Sequence, residues 1–131
     1  MIERIRRVLA RRFGRIANGS ADIGKYSVTL NRSAPDDSGD TDIQVKIQSS
    51  TWELNLYVTP AELRSIAEVR AARWNDRSSY RLGVVGKMPA WWCVDGDEMD
   101  VLIGEDDETW EIALRMPTSV LDQIDQERTV V

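Results

Sequence analysis

Apolar residues recur along this chain at two spacings, and the switch between them maps its elements. Over residues 2–16, Ile2, Ile5, Leu9, Phe13 and Ile16 fall at helical intervals with Val8 alongside, and arginines fill much of the rest. Asn18-Gly19-Ser20 then predicts a stop, because glycine takes the left-handed conformation in which helices end. Tyr26, Val28 and Leu30 alternate with Ser27, Thr29 and Asn31, the period of a half-buried strand. Ser33 to Asp42 holds Pro35, Gly39 and four aspartates and predicts a loop. Alternation resumes at Ile43, Val45 and Ile47, and again at Trp52, Leu54, Leu56 and Val58. Thr59-Pro60-Ala61-Glu62 has the parts of a capping box. A helix is predicted from there, burying Leu63, Ile66, Ala67 and Trp74 and ending near Asn75-Asp76.

The second half predicts a strand around Arg81 to Val85, a turn near Met88-Pro89-Ala90 and a strand from Trp91 to Val94. Asp95-Gly96-Asp97-Glu98 has the composition of a tight hairpin turn. Strands over 99–104 and 109–116 flank Glu105-Asp106-Asp107-Glu108, and a last helix runs from Thr118 to about Gln126.

An approximate internal copy organises this pattern. Asp42, Thr51, Trp52, Glu53, Leu56, Leu63 and Ile66 return as Asp100, Thr109, Trp110, Glu111, Leu114, Leu121 and Ile124. The chain therefore reads as one α+β domain over 1–131: a basic amphipathic helix over 1–17, a first repeat over 25–76 and a second over 80–127. Two strand-strand-helix repeats build an antiparallel sheet of about six strands in a two-layer domain. Trp52 and Trp110 are in phase with the apolar strand face and are expected in the core, while Glu53, Asn55 and Tyr57, and Glu111, Ala113 and Arg115, form solvated alternate faces.

Charge divides the chain. Residues 1–17 carry six arginines against Glu3, while the remainder holds 11 basic and 21 acidic groups, giving +5 and −10. Nine carboxylates and no basic side chain lie between Lys87 and Arg115. A body this acidic repels phosphate backbones and favours a basic partner. The N-terminal helix, with Arg4, Arg7, Arg11 and Arg15, has three readings: packing on the acidic body or a second subunit, contact with an anionic membrane or nucleic acid, or a partner's groove. With one cysteine, no secretory signal and no apolar stretch long enough to span a membrane, a cytoplasmic location is expected.

Signals for catalysis are few. The absence of histidine removes the commonest general base and most transition-metal sites. Cys93 stands in an acidic stretch, unsuited to a reactive thiol. Gly83-Val84-Val85-Gly86-Lys87 lacks the spacing, the following Ser or Thr and the helix of a phosphate loop. The acidic loops lack calcium-ligand order. No cofactor, metal or catalytic set is therefore expected. Trp91 and Trp92 are adjacent, so on a strand they face opposite ways, and one of them is a candidate partner anchor.

The element order is similar to that of secretion chaperones, and size, acidity and tryptophan content resemble those of toxin-immunity proteins, small acidic bacterial proteins that escort or neutralise another protein. The resemblance implies a non-enzymatic protein-binding module. Its candidate contacts are Trp91, Trp92, Asp95, Asp97, Glu98, Glu105, Asp106, Asp107 and Glu108. The alternative is a single-strand nucleic-acid binder using the N-terminal arginines and exposed sheet aromatics. An enzyme built on carboxylates, Arg, Lys, Tyr or Ser is a third class, and a free edge strand would allow a homodimer.

Overall fold

The computed structural model describes residues 26–32 and 42–129. The predicted helix over 1–17 and most of the aspartate-rich loop lie outside them. Seven strands form one antiparallel sheet in sequence order. They are β1 (Ser27–Arg32), β2 (Ile43–Gln48), β3 (Glu53–Val58), β4 (Tyr80–Val85), β5 (Met88–Asp95), β6 (Glu98–Gly104) and β7 (Trp110–Pro117). Two helices, α1 (Pro60–Arg64) and α2 (Ser119–Arg128), and two 3-10 segments, Ile66–Ala71 and Trp74–Asp76, complete the described chain.

The sheet has seven strands where about six were expected, and the two strands predicted between residues 81 and 94 are both present, the second of them longer than its pattern suggests. Their turn falls at Gly86-Lys87, not at Met88–Ala90, and Gly86 has φ 62°. Pro89 lies within β5 opposite Val84, close to a register shift where β4 departs from regular pairing. Gly83, at φ 80°, supplies the backbone freedom there.

The helix expected over 60–76 is shorter than its pattern suggests. Its start is as predicted: Glu62 donates its N–H to Thr59 Oγ1 at 3.0 Å, and Thr59 donates its N–H to Glu62 Oε1 at 2.9 Å. Ser65 then donates its hydroxyl to the Glu62 carbonyl at 2.8 Å, offering the backbone an alternative to helical continuation. The chain tightens into the 3-10 turn from Ile66 and next runs alongside β5, where Val94 donates its N–H to the Ala72 carbonyl at 2.8 Å. This detour carries Trp74 to the other face of the sheet, away from Leu63 and Ile66.

One sheet face holds the main core. Ile43, Val45, Ile47, Leu54, Leu56, Val58, Trp92, Val101, Leu114 and Met116 pack there beneath Leu63, Ile66, Val120, Leu121 and Ile124. Helix α2 leaves the end of β7 yet packs on β1 at the opposite sheet edge, so the sheet curls around this core. A second, smaller core lies on the outer face: Trp74, Cys93, Leu102 and Ala113, with Trp91 and Trp110 half-buried against them. The solvated second face expected from Glu111, Ala113 and Arg115 is thus corrected at Ala113, which is fully buried, and at Arg115, whose side chain is only 14% exposed.

Candidate interaction face

Strand alternation builds a half-exposed apolar band across the outer face. On β3, Leu56 and Val58 point into the core and leave Tyr57 outside, 40% exposed. Tyr57 sits opposite Val84, and Val84 opposite Pro89 on β5. Two residues along β5, Trp91 faces the same way because Trp92 is fully buried on the other side, with its indole N–H donating to the Leu82 carbonyl at 2.9 Å. Of the adjacent tryptophans, Trp91 is therefore the one at the surface. The guanidinium of Arg81 lies 6.0 Å from the Trp91 ring centroid, within cation–π range, and the Trp91 indole N–H donates to the Gly104 carbonyl at 3.1 Å.

Trp110 joins the band through a bulge. Ile103 is opposite Ile112, but Gly104 is opposite Trp110, so β7 carries one extra residue at this point. The extra residue reverses the alternation and packs Trp110 on the outer cluster rather than in the main core. Its sequence counterpart, Trp52, packs half-buried on the main core, edge-to-face with Tyr26 at 5.9 Å. Gly104 permits the close approach, because a Cβ there would stand 2.3 Å from the Trp110 Cα.

Beyond Trp110, the loop between β6 and β7 forms an acidic rim. Glu105, Asp106 and Glu108 are exposed. Asp106 accepts the backbone N–H groups of Glu108 at 2.8 Å and Thr109 at 2.6 Å, and these bonds hold its carboxyl below the usual aspartate range. Asp107 accepts from the Ser79 hydroxyl at 2.7 Å, joining this loop to the segment entering β4.

At the other end of β6, Arg115 gathers three carboxylates. It donates from Nε and Nη2 to the two oxygens of buried Asp100 at 2.8 and 3.1 Å, with Asp95 at 3.5 Å and Glu98 at 3.8 Å. The Asp100 hydrogen bond is the largest influence raising the Arg115 pKa. Beneath lies Cys93, whose thiol pKa is pushed up first by burial and then by the Asp100 charge. The arrangement suits a structural anchor, with the Cys93 thiol buried and biased toward its protonated form.

On β1–β3 the same face is polar and self-satisfied. Gln44 donates to Asn55 at 3.1 Å, Gln48 to Glu53 at 3.0 Å, and Asn55 to Glu53 at 2.7 Å.

The candidate residues therefore divide. Trp91, Glu105, Asp106, Asp107 and Glu108 lie around the band, and Asp95, Asp97 and Glu98 lie around the turn between β5 and β6. Trp92 is inside, and Arg4, Arg7, Arg11 and Arg15 lie outside the described residues. Val84, Pro89 and Trp110 were not singled out as surface groups by their sequence pattern. The bulge that turns Trp110 outward leaves only one local trace, the glycine at 104. No helix among the described residues is long and apolar enough to cross a membrane. Among known proteins, no family model, curated sequence or solved structure matches this chain.

Proposed function

We propose that this protein is a non-enzymatic binding module that holds a protein partner with a basic surface. The observation that carries the reading is the pairing of the Tyr57–Trp110 band with the exposed Glu105–Glu108 loop. Half-buried aromatics beside a charged rim have the composition of an interface centre and its border. The rim would steer a basic surface, and the rings would supply the desolvated contact. The residues proposed to do so are Trp91, Glu105, Asp106, Asp107 and Glu108, with Asp95, Asp97 and Glu98 adding to the acidic field. The body charge of −10 extends that attraction beyond the contact itself.

One observation favours a second reading. Tyr57 and Trp91 share a sheet face, and Arg81 lies over the Trp91 ring, a combination suited to stacking single-stranded bases. The acidic rim opposes it electrostatically.

Affinity capture of the full chain from the cells that make it, with and without nuclease at two salt concentrations, separates the two. A stoichiometric basic protein that resists nuclease and is weakened by salt supports the module, provided that Trp91→Ala and neutralisation of Glu105, Asp106 and Glu108 both release it. Recovered nucleic acid, or partners lost on nuclease treatment, overturns it.

A further inference from the structure

We infer that the ring face of Trp91 is a seat for a guanidinium or ammonium group of the basic partner, and that Arg81 holds this seat until the partner takes it. The inference rests on the proposed binding module and names the chemistry of its central contact. Three observations carry it.

The first is how the ring is held. The Trp91 indole N–H donates to the Gly104 carbonyl at 3.1 Å, so its polar edge is satisfied within the sheet. The side chain is half-buried against the second core. What remains for a partner is the π face, whose negative quadrupole attracts cations.

The second is that a cation already stands there. Arg81 is directly opposite Trp91 in the β4–β5 register, and its guanidinium carbon lies 6.0 Å from the ring centroid. That distance is at the outer limit of a cation–π contact, and Arg81 is exposed. Arg70 meets Asp122, Arg115 meets Asp100 and Arg128 meets Asp125, whereas Arg81 meets the ring and, among the described residues, no carboxylate. A contact this long and this wet is weak enough for a second cation to displace.

The third is the charge around it. The carbonyl that ties the ring belongs to Gly104, and Glu105, the first acid of the rim, follows directly. Ser79, two residues before Arg81, donates to Asp107 at 2.7 Å. The acidic loop is thus joined to both strands that meet at this contact. Arg81 offsets part of its field, so it competes with an incoming cation for the acids as well as for the ring.

Titration of the full chain with a synthetic arginine-rich peptide, followed in amide and indole N–H spectra, tests the seat. The peptide should move the Trp91 indole signal and leave that of Trp92 in place. Arg81→Ala should bind it about two- to fivefold more tightly, the worth of an exposed cation–π contact. Loss of a positive charge alone would strengthen binding equally in every background. The same change is therefore made beside Trp91→Leu and Trp91→Phe. The gain should largely vanish with leucine and persist with phenylalanine, which keeps a ring. Unchanged or weaker binding by Arg81→Ala, or an equal gain with leucine, overturns the inference. So does a single-stranded oligothymidylate that binds and is weakened by Arg81→Ala, because Arg81 is then a contact and not a competitor.

Neutralising Glu105, Asp106 and Glu108 separates this inference from the function beneath it. If peptide binding needs those acids while Arg81 and Trp91 are uncoupled, the seat alone falls. If the peptide binds neither the parent nor Arg81→Ala at low salt, the binding-module reading falls and takes the seat with it.

Discussion

Arg115 on β7 clasps Asp100 on β6 through two near-parallel hydrogen bonds, at 2.8 and 3.1 Å, across a directly opposed strand pair. Asp100 is 2% exposed, and the Arg115 guanidinium brings an opposite charge into direct contact with it. Replacing Arg115 with alanine should cost about 3–5 kcal/mol, because it removes the opposite charge from a buried carboxylate that has Asp95 and Glu98 nearby. Asp100→Asn should cost less, since those two carboxylates remain to balance Arg115. Urea unfolding of both variants gives the comparison. Equal losses would show that the surrounding acids contribute nothing to holding Arg115.

The two deeply buried indoles differ in one bond. Trp92 donates to the Leu82 carbonyl, whereas the Trp74 N–H has no acceptor in the structure. Phenylalanine at either position removes similar volume. Trp92→Phe should therefore be the more destabilising by about 1 kcal/mol, the worth of a typical hydrogen bond. Thermal unfolding measures the difference, and a greater loss at Trp74 would contradict it.

Cys93 ties stability to alkaline pH. Its folded pKa is raised, so the folded state keeps the thiol proton where the unfolded chain releases it. The contribution is intact below about pH 8.5 and falls away above it by at most about 1.4 kcal/mol per pH unit. Stability profiles of the parent and Cys93→Ala, measured between pH 7 and 10 (about the range over which a free thiol ionises), should diverge above the ordinary thiol pKa, the parent declining more steeply. Parallel profiles would rule out this linkage.

Gly104 fixes the bulge that faces Trp110 outward. An alanine Cβ would meet the Trp110 backbone at 2.3 Å, where no flexible side-chain end can give way. Gly104→Ala should lose about 1–3 kcal/mol through overpacking and raise the exposure of Trp110. Denaturant titration with acrylamide quenching reads both effects. Gly96→Ala provides a contrast, because a Cβ there meets nothing within 4 Å, although its φ of 68° still makes alanine strained.

Much of the sheet was legible from period-two alternation, as at Ile43-Val45-Ile47 and Leu54-Leu56-Val58, whose residues are buried as the pattern requires. The capping box at Thr59 was legible too, since its partners are three residues apart. What escaped the pattern was nonlocal. Trp74 follows helical spacing after Leu63 and Ile66, but the backbone bond to Val94 diverts it to the other sheet face. Ala113 and Arg115 alternate like solvated residues, yet Trp74 and the Asp100 ion pair draw them into a second interior. Trp52 and Trp110 look equivalent locally, and only the inter-strand register separates them. The candidate face was correspondingly half legible: its acids are consecutive in sequence, whereas its rings become neighbours only across strands.

The packing of α2 on β1 has a kinetic consequence. Every strand in this meander pairs with its neighbour in sequence, so apart from the long excursion between β3 and β4 the sheet can grow by short closures that cost little chain entropy. The α2–β1 contact joins the last element to the first described strand, about 90 residues apart, and presupposes that the intervening sheet has curled. Changes at Ile124, which lies in that helix and is buried in the core, should then act mainly by hastening unfolding. Changes along the local β5–β6 pairing should slow folding. The terminal helix is the latch that sets how long the closed sheet lasts.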